Sequence, residues 1–268
     1  MIKIFSGWSG PGGSTHAFAN LTNALNECGY DTIFYGPHSY HTQLCRSKQS
    51  KTVSINADGS DYLIAHFTSK FDKFKIREDV PVKKLIYSCH ECDVMRVDSI
   101  KYQIFDKIHF VSEKQKSFHE VNHPSFILPN ILPDIKPNSK PLLKVGGVIG
   151  SIDRNKQTHI AINNALNDGC KLVLVYGLIT DIQYFKEYIE QYKYNDNVQF
   201  MGYENDHQKI YDSVTDVYHC SISESWSYIK GECALTNTNF HGNSSSDSFW
   251  SLPKEVIVKL WLKELDYE

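Results

Sequence analysis

The chain has 268 residues, with 28 Lys and Arg against 31 Asp and Glu and a formal net charge of −3. That balance lacks the basic footprint of a nucleic-acid binder, and no apolar run approaches the roughly 20 residues of a membrane-spanning helix. The length suits two domains, and seven scattered cysteines, an odd number, fit reduced cytosolic thiols better than a disulfide framework.

Residues 2–5 read as a first strand, interrupted by glycines too soon to be a signal peptide. Next comes Gly7-Trp8-Ser9-Gly10-Pro11-Gly12-Gly13-Ser14. A helix follows, with Ala17, Phe18, Leu21, Leu25 and Cys28 on one face and Ser14 as the expected N-cap. Glycines let backbone approach a ligand, and a helix N-terminus offers N–H groups to an anion. A plain strand-to-helix turn would read the same way. The dinucleotide fingerprint fails here: Thr15 stands at the third glycine position, and the second strand, 32–35, ends at Gly36 where a ribose-binding acid is expected. A nicotinamide oxidoreductase is therefore disfavoured.

Further short apolar runs lie at 62–66, 84–87 and 108–111, then at 145–149, 171–176, 198–201 and 217–220, alternating with helical patterns. One such pattern is Ile182, Phe185, Tyr188, Ile189 and Tyr192, with Asp181 as its N-cap. This alternation predicts parallel sheets covered by helices, formed twice. Between the halves, Pro129, Pro133, Pro137 and Pro141 exclude a helix and favour a linker. The expected domains are 1–137 and 138–268. The final helix, 253–265, is expected to pack on a core, with peripheral membrane contact as the alternative.

Three stretches could bear chemistry in such a fold. Cys89-His90-Glu91-Cys92 ends a strand, which puts His90 toward a ligand crevice. A satisfied structural histidine is the competing reading, and no partner motif completes a zinc site. Gly150-Ser151-Ile152-Asp153-Arg154-Asn155-Lys156 offers two cations beside a strand end, either to hold a diphosphate or as a solvated pair. Glu224 and Glu232, seven residues apart after the run at 217–220, suit the hydroxyls of a sugar. No convincing Asp-x-Asp metal motif occurs, although Asp58 and Asp61 lie near each other.

Together these stretches resemble a GT-B glycosyltransferase, most similar to retaining glycosyltransferase family 4. Gly10-Pro11-Gly12-Gly13 is similar to that family's glycine-rich loop, and Ser88-Cys89-His90-Glu91 to its strand-end histidine motif. Phe110-Val111-Ser112-Glu113 and Leu128-Pro129-Asn130 resemble its last N-terminal strand and linker. Residues 197–202 resemble the strand and turn near the nucleotide base. Ser221-Ile222-Ser223-Glu224 with Glu232 resembles the E-x7-E signature.

The resemblance implies an α/β protein of two Rossmann-like domains facing across a cleft, the second holding a UDP-sugar or GDP-sugar. It implies a metal-independent, retaining hexosyl transfer to a glycan or lipid-linked saccharide acceptor, in surface polysaccharide or glycan synthesis, in the cytoplasm or peripherally at a membrane. By the same resemblance Glu232 would bind the ribose, Glu224 the donor sugar and Lys156 the phosphates. Gly12 and Gly13 would approach the phosphates, His90 would lie by the transferred sugar, and Gly202 with Tyr203 would border the base. Ser151 stands where the family has arginine, so Arg154 is the candidate replacement. Ser225-Trp226 and 233–237 also depart from the pattern. The alternatives are a non-catalytic nucleotide-sugar-binding relative and a GT-B sugar-nucleotide epimerase.

Overall fold

A strand buried on both faces reads as a continuous apolar run, and parallel sheets are built of such strands. A computed structural model of the chain describes residues 1–7, 12–36, 49–50, 58–66, 81–92, 99–119, 121–137 and 139–267. The α-helices among them are α1 (Gly13–Glu27), α2 (Glu113–Ser117), α3 (Thr158–Asn167), α4 (Ile182–Tyr184), α5 (His207–Asp212), α6 (Tyr228–Thr236) and α7 (Lys254–Leu265).

The chain divides into two units, one of Met1–Leu132 with Trp250–Glu268 and one of Pro133–Phe249. In the first, β1 (Ile2–Ser6), β2 (Thr32–Tyr35), β3 (Gln49–Ser50), β4 (Tyr62–His66), β5 (Lys84–Ser88), β6 (Lys107–Phe110) and β7 (Ser125–Ile127) form one sheet. Their order is β3-β2-β1-β4-β5-β6-β7, and every pairing is parallel. Alternate residues of each strand enter opposite cores. Ile2, Ile4, Ile64 and Ile86 pack with Phe18 and Leu25 of α1 and with Trp261 and Leu265 of α7. Phe5, Leu63, Leu85 and Tyr87 pack with Tyr102 and Phe110 on the other side. Lys3 is buried in β1, and Asp61 neutralises it at 2.7 Å.

The second unit contains β8 (Val145–Ile149), β9 (Leu172–Tyr176), β10 (Val198–Gly202), β11 (Asp216–His219) and β12 (Asn239–Gly242). They run in the order β10-β9-β8-β11-β12, again with parallel pairings throughout. One face packs Val148, Val173 and Val175 against Ile162 of α3 and Phe185. The other packs Val145, Leu174 and Val217 against Tyr211 of α5 and Cys233 of α6.

Four local expectations are corrected. The first unit takes back Trp250–Glu268, so the domains are not 1–137 and 138–268. Trp250 Nε1 donates to the Val111 carbonyl at 2.9 Å, and α7 buries Ile257, Val258, Trp261 and Leu262 in the first core. That burial also removes the apolar stripe proposed for a membrane. No helix among the described residues is long and apolar enough to cross one. Gly12, in extended conformation, caps α1, which starts at Gly13, so Ser14 lies in the first turn. Lastly, residues 182–194 do not form one regular helix. After α4 the chain widens into a π-turn at Phe185–Ile189 and tightens into a 3₁₀ turn at Glu190–Tyr194. The changed phase seats Tyr188 on His159 at 4.8 Å and bonds Tyr192 Oη to Asn163 at 2.7 Å, while Ile182 is left 62% exposed. Asp181 does cap α4, accepting from the Tyr184 N–H at 2.9 Å.

Candidate functional site

In a doubly wound sheet, ligands bind beyond the carboxyl ends of strands where the chain order reverses. In the second unit that point lies between β8 and β11. The loop after β8 is pressed so close to the loop after β9 that a Cβ on Gly177 would stand 1.8 Å from the Gly150 carbonyl oxygen. Only glycine fits there. Asp153 folds the first loop by accepting from Lys156 N at 2.8 Å, Ser151 Oγ at 2.5 Å and Thr180 Oγ1 at 3.2 Å. Asn155 ties it to the loop after β11. Its carbonyl accepts from Ile222 N at 2.8 Å and its side chain from Ser223 N at 3.1 Å. Gln157 then takes a left-handed conformation, φ 46°, which costs an L-residue about 1 kcal/mol.

The result is a three-membered polar cluster. Lys156 Nζ donates to Glu224 Oε1, and His219 Nε2 reaches the same oxygen at 2.9 Å. Burial alone would raise the Glu224 carboxyl. The Lys156 charge and the His219 hydrogen bond overcome it and hold the group at about 2. Glu224 is thus an anion at any physiological pH and a poor proton acceptor. An ammonium has three donors, so Lys156 can bond phosphate oxygens while it remains on Glu224.

The other sequence candidates fall elsewhere. Glu232 is only 2% exposed. It lies on the buried side of α6 with Gly231, Cys233 and Thr236. Its Oε1 faces His207 Nδ1 and its Oε2 accepts from Tyr211 Oη, both at 2.8 Å. Burial pulls the His207 pKa down, but the Glu232 charge outweighs it and the net shift is upward. The two glutamates therefore belong to separate clusters, not to one open pair. Arg154 is corrected too: Asp181 at 3.3 Å and Glu187 at 3.0 Å hold its half-exposed guanidinium, which lies against the Tyr184 ring. Gly202 turns the chain out of β10 at φ +73°, and its carbonyl accepts from Gly177 N at 2.8 Å. Tyr203 follows it.

In the first unit the reversal lies between β1 and β4, where Gly7 N donates to the His66 carbonyl at 2.9 Å. Residues 8–11 of the glycine loop, Gly10 and Pro11 included, lie outside the described residues. Gly12 and Gly13 open α1. His90 follows β5, half-buried, with Ser88 Oγ 3.1 Å from its Nε2 and the Phe18 and His66 rings 5.0 and 5.3 Å away. It lines a small pocket with Phe18, Ser88, His109, Asn130 and Trp261. Its neighbour Cys89 is not poised as a metal ligand. Burial pushes its thiol well up, and it donates to Glu91 Oε2 at 3.1 Å. Asp58 and Asp61 serve a turn instead: Asp58 N donates to Asp61 at 3.1 Å.

Among the described residues, one group of side chains has metal-ligating spacing: Asp168, Asp216 and His241. Asp216 opens β11, at the opposite end from Glu224. Lys144 already holds Asp168 at 2.7 Å, and Thr215, Asn239 and His241 satisfy Asp216.

The partners missed in the sequence are mainly histidines: His66, His109 and His219 at or near strand ends, and His207 at the start of α5. A histidine closing an apolar run, as in Tyr-Leu-Ile-Ala-His and Asp-Val-Tyr-His, was the available signal.

No family model matches the chain, and no curated protein matches it. Solved structures do. Anabaena Alr3699/HepE in complex with UDP and glucose is 11% identical at TM-score 0.69, covering 99% of this chain and 90% of that one. AviGT4, a glycosyltransferase involved in avilamycin A biosynthesis, is 12% identical at TM-score 0.65, covering 99% and 97%. WaaG, a glycosyltransferase involved in lipopolysaccharide biosynthesis, is 12% identical at TM-score 0.63, covering 99% and 90%. Two parallel α/β sheets of this order, matched along almost the whole chain by such structures, give the protein the GT-B glycosyltransferase fold.

Proposed function

We propose that the protein is a retaining glycosyltransferase that moves a hexose from a nucleoside-diphosphate sugar to a saccharide or lipid-linked acceptor. The observation that carries this reading is the Lys156–Glu224–His219 cluster, where a cation and a carboxylate meet beyond β8 and β11. UDP is favoured over GDP because Alr3699/HepE was solved with UDP and with UDP-glucose.

In this reading the departing diphosphate gathers negative charge and Lys156 stabilises it, aided by the N–H groups at the start of α6. Charge stabilisation of this type contributes about 3–4 kcal/mol per donor. Glu224 accepts hydrogen bonds from the donor sugar. Its pKa of about 2 makes it a weak base and a weak nucleophile. The acceptor's proton therefore passes to the leaving phosphate oxygen, on the face from which that group departs. Retention then follows without a carboxylate nucleophile, unlike a retaining glycosidase, and without a metal. Ribose hydroxyls meet Glu232 by replacing His207 on Oε1, with the backbone at Gly202 and Tyr203 bordering the base.

The enclosed state of Glu232 and the capture of Arg154 by Asp181 and Glu187 favour a second reading, nucleotide-sugar binding without turnover. The test is transfer and hydrolysis assayed against a panel of UDP- and GDP-sugars, with and without a chelator. Turnover that persists in chelator and is lost in Glu224→Gln supports transfer. Binding with no turnover on any donor supports the second reading. Isomerised donor without acceptor would indicate an epimerase.

A further inference from the structure

The carboxyl edge of the first sheet carries a line of polar side chains whose donor directions are fixed from one end. His109 Nε2 lies 2.8 Å from the Leu128 carbonyl oxygen. A carbonyl can only accept, so Nε2 carries a proton. The His109 ring is enclosed by Trp261 of α7 at 4.6 Å and Phe126 at 5.3 Å. Burial pushes its pKa down to about 4, so the ring is neutral and Nδ1 bears a lone pair. That nitrogen is 2.8 Å from Ser88 Oγ, and it takes the single hydroxyl proton of Ser88. Ser88 Oγ is then an acceptor toward His90 Nε2 at 3.1 Å.

We infer that Ser88 and His109 are positioning residues that hold His90 neutral with its proton on Nε2 and its lone pair on Nδ1, so that this histidine receives a hydrogen bond from a saccharide hydroxyl. The reverse direction would leave the buried Nδ1 of His109 without a donor. The groups facing His90 agree. His66 and His109 stand on either side of it, 5.3 and 6.2 Å between ring centroids. Burial first, then repulsion from those two rings, opposes a charge on His90. The nearest carboxylate, Glu91, is directed instead to Tyr87 Oη at 2.8 Å and the Cys89 thiol, with His66 Nδ1 at 3.8 Å. A neutral acceptor nitrogen suits a hydroxyl and offers no charge to a phosphate or carboxylate. The saccharide as ligand rests on the glycosyltransferase reading; the tautomer does not.

Long-range proton–nitrogen NMR on the full chain labelled at histidine reads the tautomer directly. At pH 7, His90 and His109 are expected as neutral rings protonated at Nε2. In Ser88→Ala the His90 bias should be lost, and Ser88→Thr, which keeps the hydroxyl, should restore it. In His109→Phe, Ser88 is released to donate to His90, which should invert its tautomer. A wild-type His90 that is cationic at pH 7, or protonated at Nδ1, overturns the inference, and this holds even if a variant fails to fold. Added UDP-glucose should move the His90 Nδ1 resonance and UDP alone should not. An Nδ1 resonance moved by UDP alone, or by neither, overturns the saccharide assignment. Absence of any UDP binding would instead count against the glycosyltransferase reading, with the tautomer measured separately.

Discussion

Replacing Lys156 with methionine keeps most of the side-chain volume and removes the charge from Glu224. The carboxyl stands at about 2 against an ordinary 4.5, a difference corresponding to ~3 kcal/mol of net stabilisation of the charged form. That figure already includes the opposing cost of burial. Without Lys156 the burial cost remains, and only His219 at 2.9 Å offsets it. The Glu224 pKa should then rise above its ordinary value, and the variant should lose ~3 kcal/mol or more at pH 7. The sign with pH follows from linkage. A carboxyl depressed in the folded state contributes its stability above the unfolded pKa of 4.5, and the contribution disappears as pH falls through about 2. The difference between wild type and variant is therefore largest at neutral pH and should shrink by more than half by about pH 3. Urea unfolding of both proteins across this range measures it, and Glu224→Gln in both backgrounds isolates the pair. A loss below ~1 kcal/mol at pH 7, or one that does not change with pH, would refute the reasoning.

Arg154→Ala removes two half-exposed ion pairs and should cost less than ~1 kcal/mol, with UDP affinity by calorimetry unchanged; a tenfold fall would return Arg154 to the phosphate site. His207→Ala frees one oxygen of Glu232 and should hold or tighten UDP binding if ribose takes that place, whereas weaker binding would make His207 itself the contact. Neutral buried His109, at about 4 against an ordinary 6.5, means that the unfolded chain takes up a proton that the folded one refuses. Stability should thus fall by ~3 kcal/mol as pH drops from 6.5 to 4, and in a His109→Phe variant that part of the slope should vanish from thermal melts. Gly177→Ala should prevent the two loops from meeting, because its Cβ would overlap the Gly150 carbonyl oxygen, and hydrogen exchange in residues 150–157 should rise together with a loss of UDP binding.

Strands buried on both faces were readable because their burial leaves an uninterrupted apolar run, as in Tyr-Leu-Ile-Ala-His of β4 and Leu-Val-Leu-Val-Tyr of β9. β12, Asn-Phe-His-Gly, was not readable. It pairs on one side only, and its side chains are mostly exposed, so nothing selects an apolar pattern there. The three residues of β7 are too few to show one. At the site, Lys156 and Glu224 could each be singled out by local context, but their meeting depends on Asn155 joining two loops 68 residues apart. Arg154 was misjudged because its partners, Asp181 and Glu187, lie on a segment whose π-turn no periodicity announces. The E-x7-E spacing was visible, yet the face of α6 that Glu232 occupies was settled by Tyr211 and His207, some 20 residues earlier.

Because Trp250–Glu268 belongs with Met1–Leu132, the second unit is an insertion in the first, and the chain leaves and re-enters one core. Cutting after residue 249 would thus spare the donor half while stripping the acceptor half of Trp261, the ring that covers His109. Ribosomal synthesis has the same asymmetry: the half made first is the last to be finished, and its opening strands wait for a closing helix more than 200 residues downstream.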